Sequence, residues 1–366
     1  MRIVQKTSYG QDTGLFRTRR DAGLYALLLL AAVALPLAAG PFLLGEAANV
    51  LIFAVAGLGL MILVGLSGQV SLGHAAFLAV GCYANILAQT RLGLPFLLSL
   101  PFAALVSAAA GALLAVPVAK LHGIYLAIAT LAVAILVENL IVIAAPLTGG
   151  VAGIAAPDIR LPGITINRYV QTAPFYWVVL AVFLLCLLVY RNVERSPLGR
   201  SFAAIRDSEV SARAIGVNVA RTKAVAFALS AGMTGVAGAL LGHFTGYVNH
   251  ESFNIVLSIT LLLMIVVGGL GTAHGAVLGA IVVALMPQVI AIGRDLAAGL
   301  LGLGTIVVPG LETAVFAALL VAVILFEPLG LYGRWVKIRT YGQLFPFYRR
   351  GLFRRQRGYL RTERMR

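Results

Sequence analysis

Long apolar runs recur along nearly the whole chain, separated by short polar or glycine-rich interruptions. A helix needs about 20 apolar residues to cross roughly 30 Å of hydrocarbon. By that measure the pattern predicts spans at about 22–44, 48–66, 74–90, 96–118, 123–145, 173–190, 223–242, 255–271, 274–292 and 312–328. Alternation from a cytoplasmic N-terminus puts the loop at Glu46, Arg91 and loops 146–172, 243–254 and 293–311 outside. Loop 67–73, Lys120, loops 191–222 and 272–274, and the tail then lie inside. Residues 68–90 open with Gly68, Gln69, Ser71, Gly73 and His74 and read as partly re-entrant. The run 255–292 is broken by Gly268, Gly269, Gly271, Thr272 and Gly275 and reads as a hairpin of two short spans; 296–308 reads as a short interfacial helix. Paired glycine-interrupted segments of this kind point to two repeated halves with a pathway near the midplane. In a chain with 40 glycines, chance pairing is the other reading. Leu37-Ala38-Ala39-Gly40 faintly resembles a cleavage site, but the run before it exceeds the 7–15 residues of a signal-peptide core.

Composition narrows the class. The chain has 366 residues, 60% hydrophobic and 11% charged, with mean hydropathy +0.97. Soluble domains carry roughly 25% charged residues. There are too few polar residues here to clothe a soluble surface, which excludes a soluble enzyme, a disordered chain and a secreted disulfide scaffold. The predicted fold class is an all-α polytopic membrane protein with about ten helices, some short or re-entrant, and both termini cytoplasmic. Net charge is +15, and 23 of the 28 basic residues fall in 1–21, 191–223 and 334–366. Ten spans put all three clusters on one side, as the positive-inside rule requires, whereas nine or eleven would move the tail across. The clustering therefore argues for membrane topology and against a nucleic-acid partner. Three regions follow: a basic N-terminus at 1–21, a transmembrane domain at 22–330 with a cytoplasmic loop at 191–222, and a basic tail at 331–366. Cys82 and Cys186 lie in apolar stretches and imply neither a disulfide framework nor a metal site.

Loop 191–222 is the most informative polar stretch. Ser196-Pro197 is a helix start, with serine capping free amides and proline tolerated at the first helical position. Phe202, Ile205 and Val210 suggest a partial apolar stripe, with Arg206, Asp207, Glu209 and Arg213 exposed beside it. Ile215-Gly216 looks like a helix end. The segment is either a solvated linker touching anionic lipid or a docking helix for a cytoplasmic partner. The pattern Glu209-x-x-Ala212-x-x-x-Gly216 favours docking, because it resembles the short-helix loop by which permeases of ATP-binding-cassette importers engage their ATPases.

Neighbouring motifs extend the resemblance. Leu66-Ser67-Gly68-Gln69-Val70-Ser71-Leu72-Gly73-His74-Ala75-Ala76-Phe77 resembles the second-to-third-span motif of the branched-chain amino-acid permease family, LivM-like branch. So do Gly123-Ile124-Tyr125-Leu126-Ala127-Ile128-Ala129-Thr130-Leu131 and Leu147-Thr148-Gly149-Gly150. So also do Ser196-Pro197-Leu198-Gly199-Arg200, Ala226-Phe227 with Gly235 and Gly238, and Val267-Gly268-Gly269-Leu270-Gly271-Thr272, all in family order over about 45–330. The resemblance implies a multi-pass permease of the bacterial inner membrane. It implies a homologous second permease, two ATPase subunits and a periplasmic or extracellular solute-binding protein as partners, with membrane lipid around them. No Gly-x-x-x-x-Gly-Lys-[Ser/Thr] loop occurs, so ATP and Mg are expected on the partners and no cofactor on this chain. Two positions and the tail depart from the family: Ile135 stands where an acidic residue is frequent, Glu327 where a basic one is common, and the tail is longer and more basic.

Candidate residues follow. Arg206, Asp207, Glu209, Ala212 and Gly216 are assigned to ATPase coupling, and no residue to catalysis. Gln69, Ser71, His74, Tyr125, Thr130 and Glu138 are assigned to the translocation pathway. Glu138 lies within a span, where a carboxylate faces a cavity or a partner; the alternative is a structural pair with Asn139. For Gln69, Ser71 and His74 the alternative is satisfaction of backbone groups at a broken helix. His74 stands without a second metal ligand, and His122, His243, His250 and His274 read as interfacial. Gly238, Gly242 and Gly246, and Gly271, Gly275 and Gly279, have the small-xxx-small spacing of close helix packing; Gly268 and Gly269 join them. A membrane enzyme would need paired carboxylates or a His-rich ligand set, and a secondary transporter several intramembrane charges. Both are disfavoured. Within the family, urea, short amides or another small polar solute are the alternative substrates.

Overall fold

The computed structural model describes residues 19–118, 121–161, 163–301 and 330–344, with a few helical positions between 314 and 326. Residues 1–18, Lys120, most of the predicted span 312–328 with Glu327, and the tail beyond 344 lie outside the described residues.

Nine apolar helices occupy nine of the ten predicted runs among the described residues. They are α1 (Arg19–Ala38), α2 (Pro41–Leu60), α3 (His74–Thr90), α4 (Phe96–Val118), α5 (Gly123–Ile143), α7 (Thr172–Arg195), α10 (Val219–Thr245), α11 (Ile255–Gly268) and α12 (Ala273–Leu301). A short α6 (Ala145–Thr148) follows α5, α8 (Pro197–Asp207) and α9 (Glu209–Ala214) follow α7, and α13 (Gly330–Leu344) closes the described chain. Seven are long and apolar enough to cross a membrane, counting α2 with its extension to Leu66 and α11 with the helical turn that precedes it from His250. Helices α1 and α3 are shorter.

Several boundaries differ from expectation. The first turn falls at Ala39-Gly40, so Glu46 lies within α2, where its carboxylate accepts from Gln288. Proline at the first helical position lets α2 start directly after Gly40. Helix α11 is short, at 14 residues, but α12 runs for 29, so 255–292 is a short helix followed by a long one. Residues 296–301 continue α12 instead of starting an interfacial helix.

Helices α2 and α10 form the centre, buried over 72% and 67% of their apolar windows against 28–39% for the others. Helix α10 packs on α4, α3 and α2. Lipid tails are as apolar as leucine, so helices gain little from mere apolarity and associate by close backbone approach. A side chain at Gly238 would strike the carbonyl of Leu78, one at Gly242 the Cys82 sulfur, and one at Gly235 the Ser107 side chain. On the other side of the bundle, Gly268, Gly275 and Gly279 let α11 and α12 touch. Not every spaced glycine packs. Gly246 ends α10 at φ 75°, and Gly269 (φ 118°) and Gly271 (φ 79°) form the turn between α11 and α12. Those three supply backbone conformations that other residues rarely adopt.

The loops gather at two ends, as alternation of spans requires. At one, Arg206 reaches the Gly65 carbonyl, His122 meets Glu209, and the Gly271 amide faces the Met61 sulfur. At the other, Arg91 donates to the Pro146 carbonyl, and two small antiparallel sheets cap the helices. In one, β1 (Ile154–Ala155) pairs with β4 (Tyr247–Val248); in the other, β2 (Ile159–Leu161) pairs with β3 (Ile164–Ile166). We call these the inner and outer ends.

Candidate coupling and translocation site

At the inner end the polar loop folds as two helices, not one. Ser196 Oγ accepts from the Gly199 amide to start α8, and Ser208 Oγ accepts from the Ser211 amide to start α9. Gly216 at φ 88° ends the hairpin, and the Asn218 side chain caps α10 by accepting from the Arg221 amide. Phe202 and Ile205 are buried, but Val210 is 78% exposed and leaves the expected stripe. The break at Ser208 rotates α9, so Ala212 and Val219 close the small core with Ile205 instead. Val210 and Ile215 (74% exposed) stand on the outer surface of α9, with Arg213 and Asp207 exposed nearby.

Glu209 is the larger correction. It is not exposed with its neighbours; its carboxylate turns inward. Oε1 accepts from Lys223 Nζ at 2.6 Å and Oε2 lies 2.8 Å from His122 Nε2, with Arg213 at 4.0 Å. Lys223, in the first turn of α10, is 2% exposed and also donates to the Leu121 carbonyl. Burial of a lone ammonium is prohibitive, so such a charge requires a partner. Partial burial pushes the Glu209 carboxyl up, but the hydrogen bonds from Lys223 and His122 outweigh it and hold the group below its ordinary range. Arg206 meanwhile donates to Asp207 and to the Gly65 carbonyl. A cavity of about 240 Å³ lies beneath, lined by Gln69, His122, Arg206, Glu209 and Lys223 among others. The sequence does not single out Lys223, and His122 reads there only as interfacial. The signal was there for Lys223, one of four lysines in the chain and placed at the edge of an apolar run.

The six pathway candidates separate. Ser71 and His74 are fully buried: the imidazole bridges Ser71 Oγ (3.0 Å) and Ser230 Oγ of α10 (2.8 Å). Around them the free amides at the start of α3 find side chains. The Leu72 amide donates to Thr130 Oγ1, Gly73 to Ser71 Oγ, and Ala75 to Ser258 Oγ of α11. A buried helix start without such partners would be unstable. Gln69 borders the inner cavity, with its Nε2 on Ser67 and its Oε1 buried without a hydrogen-bond partner among the described residues. Tyr125, by contrast, is 71% exposed on the far face of α5. It belongs to a stripe with Ile128, Ile135, Leu136 and Asn139. Glu138 is half-buried beside that stripe and has no hydrogen bond or ion pair among the described residues. The pair with Asn139 does not form, because the Asn139 amide donates back to the Ile135 carbonyl.

At the outer end, His243 is buried, contrary to its interfacial reading. Its ring bridges the Pro157 carbonyl and Asn85 Oδ1, with Gln89 alongside, and so ties the outer sheets to α3 and α10. Arg168 lies over the Phe244 ring and donates to the Phe244 carbonyl. Burial lowers its pKa from the ordinary arginine value. Among the described residues, no three His, Cys, Asp or Glu side chains come close enough to share a metal ion.

Comparison with known proteins places this architecture. Residues 42–326 match the family described as "Branched-chain amino acid transport system / permease component". The permease protein LivM of a high-affinity branched-chain amino acid transport system in Salmonella typhimurium is 36% identical over 275 residues, 69% of this chain and 65% of that protein. Its Escherichia coli counterpart is 36% identical over 279 residues, 70% and 65% of the two chains. The chain thus spans just under two thirds of the length of these curated relatives. An autoinducer 2 import system permease, LsrC of Klebsiella pneumoniae, is 30% identical over 174 residues, 44% of this chain and 49% of that one. No solved structure matches. With a match over most of its length, this multi-pass membrane chain belongs to the branched-chain amino acid transport system permease family.

Proposed function

We propose that the chain is the membrane-spanning permease subunit of an ATP-binding-cassette importer for branched-chain or related amino acids, in a bacterial inner membrane. A binding protein delivers the solute to the outer end, and ATPase subunits drive the cycle from the inner end. A second, homologous permease covers the open face of α5. The observation that carries this reading is the α8–α9 hairpin: its inner side is fastened to the bundle, while apolar Val210 and Ile215 face outward without cover from the other described residues. Glu138 and Asn139 support the second permease, since polar groups at membrane depth face protein or a water-filled path in preference to lipid. The names of the relatives support the substrate class, and a permease named LivH from Escherichia coli, 28% identical over 158 residues, supports a paired partner.

A second reading keeps the architecture and changes the cargo to urea, a short amide or another small polar solute. The similarity to an autoinducer 2 permease favours it to that extent. Purification of the tagged chain in mild detergent tests both. Co-eluting ATPases and a homologous permease are the expected result, and a lone monodisperse protein would overturn the importer reading. Ligand binding by the associated external protein then decides the cargo.

A further inference from the structure

We propose that Glu209 is not an ATPase contact but the inner half of a clamp, with Lys223 and His122, that carries the motion of the coupling hairpin into α10 and α5. The inference rests on the importer reading and refines it. It starts from placement. Glu209 begins α9, Lys223 is in the first turn of α10, and His122 immediately precedes α5. One carboxylate therefore joins three elements, at 2.6 and 2.8 Å. Two of those elements matter to transport: α10 is a central helix of the bundle, and α5 carries Glu138 and the exposed face.

Burial gives the clamp its stiffness. With Lys223 2% exposed and the Glu209 side chain 20% exposed, sliding α9 away from α10 would pull a buried ammonium and its carboxylate apart, and separating a buried charge from its counter-charge is costly. The hairpin has a second fastening in Arg206 on the Gly65 carbonyl, within the π-helical end of α2 (Met61–Leu66). The two fastenings make α8–α9 and the inner ends of α2, α5 and α10 one unit. Glu209 is thereby turned away from the surface on which Val210 and Ile215 stand. A partner seated on that surface meets Val210 and Ile215 before the Glu209 carboxylate behind them. Glu209 and Lys223 are thus positioning residues.

The test uses the whole transporter, co-purified with its ATPases and reconstituted with its binding protein in proteoliposomes. Glu209→Gln combined with Lys223→Met removes both charges and leaves neither one buried alone. We expect this variant to retain its ATPases and hydrolyse ATP, while uptake per ATP hydrolysed falls about tenfold, the scale of an ordinary coupling free energy. The charge swap, Glu209→Lys with Lys223→Glu, should recover part of the loss. Val210→Glu and Ile215→Glu should do the opposite and strip the ATPases from the complex. Loss of ATPases on Glu209→Gln with Lys223→Met would overturn the clamp in favour of direct contact, and unchanged uptake per ATP would overturn it outright. Should the unaltered chain bring down no ATPase, the importer reading fails, whatever these variants do.

Discussion

A single side chain can be counted against its surroundings. Gly238 touches the Leu78 backbone so closely that a methyl group has no room, whereas a methyl group at Gly293 in α12 meets none of the described residues. Gly238→Ala should therefore destabilise the bundle by about 1–3 kcal/mol, the usual cost of overpacking. Gly293→Ala should be neutral or stabilising by up to about 1 kcal/mol, since alanine loses less backbone freedom in a helix. Thermal melting in detergent checks the pair, and equal effects would refute the packing argument. The same scale shows the limit of sequence reading. Glycine at every fourth position is visible in the chain, but Gly238 packs and Gly246 turns. That distinction depends on where the helix ends.

Helix α3 starts inside the protein, and that shapes its polar residues. Its amides are met by Ser71, by Thr130 of α5 and by Ser258 of α11. Thr130→Val keeps the shape and leaves the Leu72 amide bare; Ser258→Ala does the same to Ala75. Each should cost about 1–3 kcal/mol, the penalty for an unsatisfied buried donor. Hydrogen exchange at the start of α3 should rise more than at α12 in both variants. If protection there is unchanged, the donors are satisfied some other way. Gln69, Ser71 and His74 were legible as a polar cluster at a broken span. Ser230, which meets His74, and Ser258, which meets the Ala75 amide, were not, because they arrive from helices more than 150 residues away.

Across the whole molecule, the two loop ends give a test of the proposed topology. Ser211 is exposed on α9 at the inner end, and Val170 is 80% exposed at the outer end. Cys82 and Cys186 are both buried and should contribute little background labelling. In right-side-out vesicles, an impermeant maleimide should label Val170→Cys directly and Ser211→Cys only after permeabilisation. The reverse pattern would invert the orientation and, with it, the side from which the ATPases act.

The division between what the chain declares and what folding adds follows from the range of the forces involved. Span positions, the basic clusters, the polar hairpin and the family motifs are local patterns, since hydrocarbon thickness and charge asymmetry act on contiguous segments. Tertiary structure alone decided that Glu209 faces Lys223 and His122, that Val210 faces outward, that His243 is sealed among Asn85, Gln89 and Pro157, and that Glu138 lacks Asn139. A short helix of six residues is aimed by the break before it and by the bundle it meets. In a membrane protein, where every buried polar group must find a partner within the fold, those partners lie wherever the other helices bring them.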